Sequence, residues 1–218
     1  MLLNKIVINY YLVVCFSMGT TRQRLSAEER QEEIVKVAVD LAAERGVDEV
    51  TTKDMADAMG LTQGAIFRHF ATKDDIWFAV MQWIRARLMK VIGKAADEGV
   101  NPLDSLERMF FAHIAFISKH PAIPRLLFSE RLHTKSVKLK QLIQEIMAGY
   151  EAKIAALLAE AKSQGIVSAE LDENGAAVLY IGMIQGLVIQ SSIFRGKRSL
   201  EEEARKVFPV YKRGISAK

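Results

Sequence analysis

The chain has 218 residues, 30 Lys and Arg against 26 Asp and Glu, with half of its residues hydrophobic and about a quarter charged. This size and composition exclude a disordered segment and leave room for one large or two small globular domains. A formal charge of +4 permits a nucleic-acid partner without requiring one, and the single Cys15 excludes an internal disulfide framework and fits a reducing cytoplasm.

Residues 6–16 form a short apolar run after Lys5, too short to cross a bilayer and not followed by a signal-peptide cleavage pattern. Met18 begins a polar arm, so residues 1–17 are expected to be an upstream extension, with translation starting naturally at Met18; a membrane anchor is the alternative. Helix starts are then legible. Ser26 with Glu29, Thr51 with Asp54 and Thr72 with Asp75 each repeat the capping-box spacing. They open helices striped by Ile34, Ala38 and Leu41, by Met55, Ala56 and Met59, and by Ile76, Trp77, Val80, Ile84 and Leu88. Gly46 and Gly60 stop the first two, and Thr62 caps a very short helix ending near Phe70.

Asn101 and Pro102 open a further helix along Leu106, Met109, Phe110, His113 and Ile117, which ends at Pro121. Helices are predicted over 125–132, 135–164 and 172–194, and a last one starts at Ser199 and is interrupted at Pro209. No stretch after residue 17 alternates with period two. The pattern predicts an all-α chain of about nine helices, an N-terminal three-helix domain with a helix-turn-helix followed by a C-terminal helical bundle.

Residues 51–70 are the informative ones. Two short helices meet at a tight glycine turn, with Ala56 small where the second helix crosses, Gly60 in the turn and Ile66 pointing back into the shared core. From Thr62 to Lys73 there is no acid, while Arg68, His69 and Lys73 are present. Gln63 and Arg68 offer donors suited to base edges, Thr62 can hold a phosphate, and Gly64 permits close approach to DNA. Net basicity does not carry this reading, since residues 19–97 hold 12 cations and 13 acids.

The run Thr51-Thr-Lys-Asp-Met-Ala-Asp-Ala-Met-Gly-Leu-Thr-Gln-Gly-Ala-Ile-Phe-Arg-His-Phe-Ala-Thr-Lys-Asp-Asp-Ile76 closely resembles the N-terminal domain of TetR/AcrR-type regulators, and the likeness covers about residues 26–80. Phe67 stands where that family usually has tyrosine, which removes one expected phosphate contact. The resemblance implies a TetR-like fold, with Gln63, Gly64, Ala65 and Phe67 at the major groove. It implies that Thr51, Thr52, Thr62, His69 and Lys73 contact or orient the DNA backbone, with Arg22 and Arg24 adding contacts from the arm. For His69 a ring packed between helices is the alternative, and for Lys73 a merely solvated side chain.

Residues 174–194 carry no charge, yet Gln185, Gln190, Ser191, Ser192 and three glycines make membrane insertion unattractive. A helix buried at a subunit interface fits better, with Gly182 and Gly186 allowing close approach. With the last helix it resembles the family's four-helix dimer interface, for which Tyr180, Gly182, Met183, Gly186, Leu187, Gln190, Val207, Phe208 and Tyr211 are the expected residues. Dimerisation would space two reading helices to match a palindrome. Trp83, Phe110, His113, Phe116, Met147 and Tyr150 lie where a mostly apolar effector pocket could form, the alternative for each being ordinary core.

No phosphate-cradling loop, zinc-ligand spacing or nucleophile elbow is present, so neither an enzyme nor a resident metal or cofactor is expected. The expectation is a cytoplasmic, homodimeric repressor. It would bind a palindromic DNA operator through residues 18–73 and be released by a small molecule sensed within residues 74–218. The competing reading is an all-helical protein-interaction or membrane-attached module that does not bind DNA.

Overall fold

The computed structural model describes residues 25–120, 123, 136–194 and 197–217. Among them are eight helices: α1 (Ala27–Arg45), α2 (Thr52–Ala58), α3 (Gln63–Phe67), α4 (Lys73–Asp97), α5 (Pro102–Lys119), α6 (Val137–Ser163), α7 (Glu173–Ile193) and α8 (Leu200–Ile215). The apolar run at 6–16, Cys15, Met18, Arg22, Arg24 and the helix expected over 125–132 lie outside the described residues.

The expected capping boxes all form. The hydroxyls of Ser26, Thr51 and Thr72 accept from the backbone N–H three residues on, and the acids at those positions accept from the cap backbone N–H in return. Two otherwise orphaned donors are satisfied at each start, which fixes where α1, α2 and α4 begin. One expectation is corrected: α8 runs unbroken through Pro209. Its inward stripe of Ala204, Phe208, Tyr211 and Ile215 is buried, while Pro209 and Arg205 are exposed. The carbonyl that proline leaves without a helical donor therefore belongs to a residue on the solvent side, where water can serve it.

Helices α1 to α3 surround Ile34, Ala38, Met55, Ala56 and Ile66, with α4 closing that small core through Ile76 and Trp77. The same α4 continues into the larger bundle, packing along α5 and against α6. In the bundle, Phe110 of α5 meets Tyr180 of α7 and Phe208 of α8, with ring centroids 5.6 and 4.8 Å apart. Tyr180 donates to the Leu106 carbonyl at 2.8 Å and Tyr211 to the Ala176 carbonyl at 3.0 Å, so both buried hydroxyls are partnered. The C-terminus is tied down where Ser168 donates to the Ile215 carbonyl and Ala217 to that of Ile166.

The turn between α4 and α5 is tight. Ser105 Oγ donates to the Ala96 carbonyl at 2.8 Å, and a Cβ placed on Gly99 would lie 2.7 Å from the Ser105 backbone. No flexible atom can yield there. Gly99→Ala is expected to lower stability by about 2–3 kcal/mol, seen as a drop of roughly 5–10 °C in the thermal midpoint.

Candidate nucleic-acid interface

Leu61 donates from its backbone to the Ala56 carbonyl at 2.8 Å, and Gly60 takes the positive φ of +59° that this turn requires. Ala56 and Ile66 are fully buried at the helix crossing. The crossing turns one edge of α3 outward. Thr62 caps the helix by accepting from Ala65 N–H, and Thr62, Gln63, Gly64, Phe67 and Arg68 are exposed. Phe67, at 44% exposure, is a large apolar side chain in solvent on this short helix.

Not every expected contact residue faces out. Ala65 is buried against the turn, and Thr52 is only 6% exposed, with its oxygen accepting from Gln63 Nε2 at 2.6 Å. The Thr51 hydroxyl is engaged in its cap, donating to Asp54 Oδ2 at 2.6 Å while accepting from Asp54 N–H. Those Thr51 hydrogen bonds, more than the nearby Arg45, hold the Asp54 carboxyl below its ordinary pKa. His69 is half-buried, and its carbonyl accepts from Gln31 Nε2 at 3.0 Å, which ties the end of α3 to α1. Lys73 starts α4 and is half-buried.

The expected effector-site residues do not line one pocket, although Tyr150 meets Tyr180 edge-on at 6.3 Å and so joins the aromatic core. Phe110 belongs to the aromatic core shared with Tyr180 and Phe208. Phe116 stacks on His120, 4.4 Å between centroids, and His120 meets Trp83 edge-on at 6.2 Å. His113 faces Tyr150, with Nδ1 3.4 Å from the hydroxyl, while Met147 Sδ lies 3.9 Å from Gln185 Nε2. His120 was not among the expected residues, although its i, i+4 spacing from Phe116 on one helix could have signalled it.

Two open cavities lie beside these helices. One of about 440 Å³ lies between α1, α4 and the start of α6, walled by Phe70, Phe78 and Trp83. Lys138 closes one side of it, 3.2 Å from Asp75 Oδ1 and 4.3 Å from the centre of the Phe78 ring. The other, about 470 Å³, lies on the outer side of α7 and α8 between Leu179, Met183, Val207 and Val210. Phe110, His113, Phe116, Met147 and Tyr150 line neither.

Of the residues expected at a dimer interface, Tyr180, Leu187, Phe208 and Tyr211 are buried in the protomer's own core. Gly182 and Gln190 face out, and Met183, Gly186 and Val207 are half-buried. Exposed beside them are Val178, Leu179, Ile189, Ile193 and Val210, which sequence reasoning missed. Helix α7 is long and apolar enough to cross a membrane by length and composition, and only 39% of its most apolar window is buried. A helix apolar on all sides offers no phase by which to tell inside from outside. The α8 stripe does have a phase, and it could have sent Phe208 and Tyr211 inward.

A three-helix unit whose short second and third helices cross at a glycine turn, with the third presenting an acid-free polar edge, is a helix-turn-helix DNA-binding domain. Residues 34–80 match the model of bacterial regulatory proteins of the tetR family, which covers the helix-turn-helix and the start of α4. It is 26% identical over 158 residues to the nucleoid occlusion factor SlmA of Vibrio cholerae, spanning 72% of this chain and 81% of that protein. Its fold is that of a TetR transcription regulator from Haloarcula marismortui, with a TM-score of 0.78 at 17% identity over 87% of this chain and 99% of that one. The regulator FadR of Bacillus subtilis, solved in complex with stearoyl-CoA, superposes with a TM-score of 0.74 at 21% identity over 84% and 98% of the two chains. At such identities the solved structures show the fold alone. The chain therefore carries a TetR-type helix-turn-helix DNA-binding domain within a TetR-like fold.

In the bundle, desolvation pushes the Tyr150 and Tyr180 hydroxyls up, so both stay protonated. The same cause lowers the His113 pKa from 6.5 to about 4, leaving a neutral ring at pH 7. Because the unfolded chain binds this proton more readily, the stability from a neutral His113 is fully present above about pH 6.5 and is lost as pH falls towards 4. Chemical denaturation of the wild type should show a loss of about 2–3 kcal/mol from this group across that window. His113→Gln should flatten that part of the profile, and an unchanged slope would remove the histidine as its source.

Proposed function

We propose that this regulator binds a palindromic DNA operator as a homodimer, acts as a repressor there, and is released by a small-molecule effector. The observation that carries the reading is the exposed, acid-free edge of α3, where Gln63, Phe67 and Arg68 stand beside the Thr62 cap. Gln63 and Arg68 supply base-edge donors, and the Phe67 ring suits a thymine methyl. Thr62, His69 and Lys73 are assigned to the DNA backbone, and the close approach permitted by Gly64 lets α3 sit deep in the groove. Thr52 and Ala65 act from behind this edge, and Thr51, exposed but with its hydroxyl held in the cap, flanks it.

Pairing is supported by the exposed apolar side of α7 and α8, with Leu179, Gly182, Met183, Ile189, Val207 and Val210 forming the proposed interface. A contiguous apolar face of this kind marks an association surface in a water-soluble protein. Residues 18–73 would form the reading head and residues 74–218 the pairing and sensing part, working in the cytoplasm with the DNA. The relative solved with stearoyl-CoA supports an effector with a large apolar portion. Trp83, Phe116 and the His113–Tyr150 pair are the first residues to test for contact with it.

The likeness to nucleoid occlusion factors over 72% of the chain favours a second reading, in which many dispersed sites mark chromosome regions and no single promoter is controlled. Selection from random DNA, followed by mapping of bound sites on the source genome, tests both. A palindromic consensus at a few promoters is expected. Sites spread widely across the genome would favour the second reading, and no enrichment would overturn DNA recognition altogether.

Three substitutions check the parts. Lys73→Ala should weaken binding to all sequences and reduce the salt slope by about one, whereas Gln63→Ala should alter sequence preference. Leu179→Asp, a charge set into the apolar face, should give a monomer by sedimentation and lose high-affinity binding. A dimer that persists would put the interface elsewhere.

A further inference from the structure

Thr52 and Ser105 are the buried non-aromatic polar side chains among the described residues, and Ser105 is explained by its bond to the Ala96 carbonyl. Thr52 sits in the first turn of α2, behind the reading edge, and its oxygen accepts a 2.6 Å hydrogen bond from Gln63 Nε2, eleven residues away on α3. At 6% exposure its hydroxyl is turned away from solvent and is a poor partner for a DNA phosphate. We propose that Thr52 is a positioning residue that fixes the amide of Gln63 and thereby sets which base this protein reads. The inference rests on Gln63 acting at the major groove, as proposed above.

The chemistry follows from counting hydrogen-bonding groups. A free glutamine amide has two N–H donors and one carbonyl acceptor, and rotation about its last bond exchanges the two ends. With Thr52 Oγ1 accepting one N–H, as it does here, a single N–H and the carbonyl remain to face outward. One donor beside one acceptor complements the major-groove edge of adenine, which presents an acceptor at N7 and a donor at N6. Guanine presents two acceptors there, at N7 and O6, and the held amide has only one donor left to meet them. The hydrogen bond from α3 to α2, in the direction observed, therefore favours adenine over guanine. It also removes the rotational freedom that the side chain would otherwise lose on binding.

The test uses the full-length protein in selections from random DNA, with affinity measured against salt and thermal midpoints for every variant. Thr52→Val keeps the shape and removes the oxygen. It is expected to cut the preference for adenine over guanine about tenfold at one base pair of the bound site, with other positions and the salt slope unchanged. Thr52→Ser should restore the preference, because it restores the acceptor. Gln63→Ala should abolish preference at the same base pair, and Thr52→Val should then add no further change there. If Thr52→Val fails to fold, Thr52→Ala makes the same comparison with a smaller side chain.

Three outcomes would overturn the proposal. A wild-type preference in the Thr52 variants, with preference lost in Gln63→Ala, removes the positioning role and leaves reading by Gln63 standing. A uniform loss across all sequences with a flatter salt slope makes Thr52 a phosphate contact. Unchanged preference in Gln63→Ala removes the reading on which the inference rests.

Discussion

The structure depends on α4 being buried along its length, with α1 to α3 at its start and the bundle helices further on. Ile76 and Trp77 close the small core formed with α1 to α3, and Ile84, Leu88 and Ile92 pack about two to four turns further on. A single α-helix is stiff over this length, because each residue is held by its i−4 hydrogen bond. The head and the bundle therefore cannot reorient independently without bending α4 or unpacking one end of it. Burial of Trp77 sharpens the constraint. Its ring N–H has no hydrogen-bond partner, so apolar packing alone holds the ring in place.

The first turn of α4 is where this constraint meets the rest of the molecule. One carboxylate, that of Asp75, accepts from the Thr72 backbone and hydroxyl and also from Lys138 of α6. These bonds, Thr72 before Lys138, hold its pKa below the ordinary carboxylate value. A group with this many partners couples them: a shift of α6 that withdraws Lys138 changes the charge environment of the residue that caps α4. The exposed ion pair is worth little by itself. Its place matters more than its energy, since it spans from the bundle to the helix start that directly follows the recognition helix.

What could be read from the sequence divides along a physical line. Ser26, Thr51, Thr62 and Thr72 were legible as caps because the bonds that define them close within three residues, so a short window contains the whole interaction. The helix-turn-helix was legible for the same reason: Ala56, Gly60 and Ile66 lie within eleven residues and constrain one crossing. Pro209 misled because its local effect is real but its site is favourable. A proline on the wet side of a strongly amphipathic helix leaves its exposed partner carbonyl to water, and the buried stripe holds the helix together.

The outward face of α7 was illegible for the opposite reason. Local sequence assigns inside and outside by contrast, and residues 174–194 offer none. The assignment comes from the other side of each contact: Tyr180 faces inward because the Leu106 carbonyl needs its hydroxyl and Phe110 and Phe208 surround its ring, leaving Leu179 and Val178 to solvent. The Thr52–Gln63 bond is hidden in the same way, since neither residue type nor spacing announces it. It exists only once α3 crosses α2 at the angle that Ala56 permits. The exposed polar groups of α3 are thus visible in the sequence, while a buried partner such as Thr52 becomes visible only through the packing that brings it within reach.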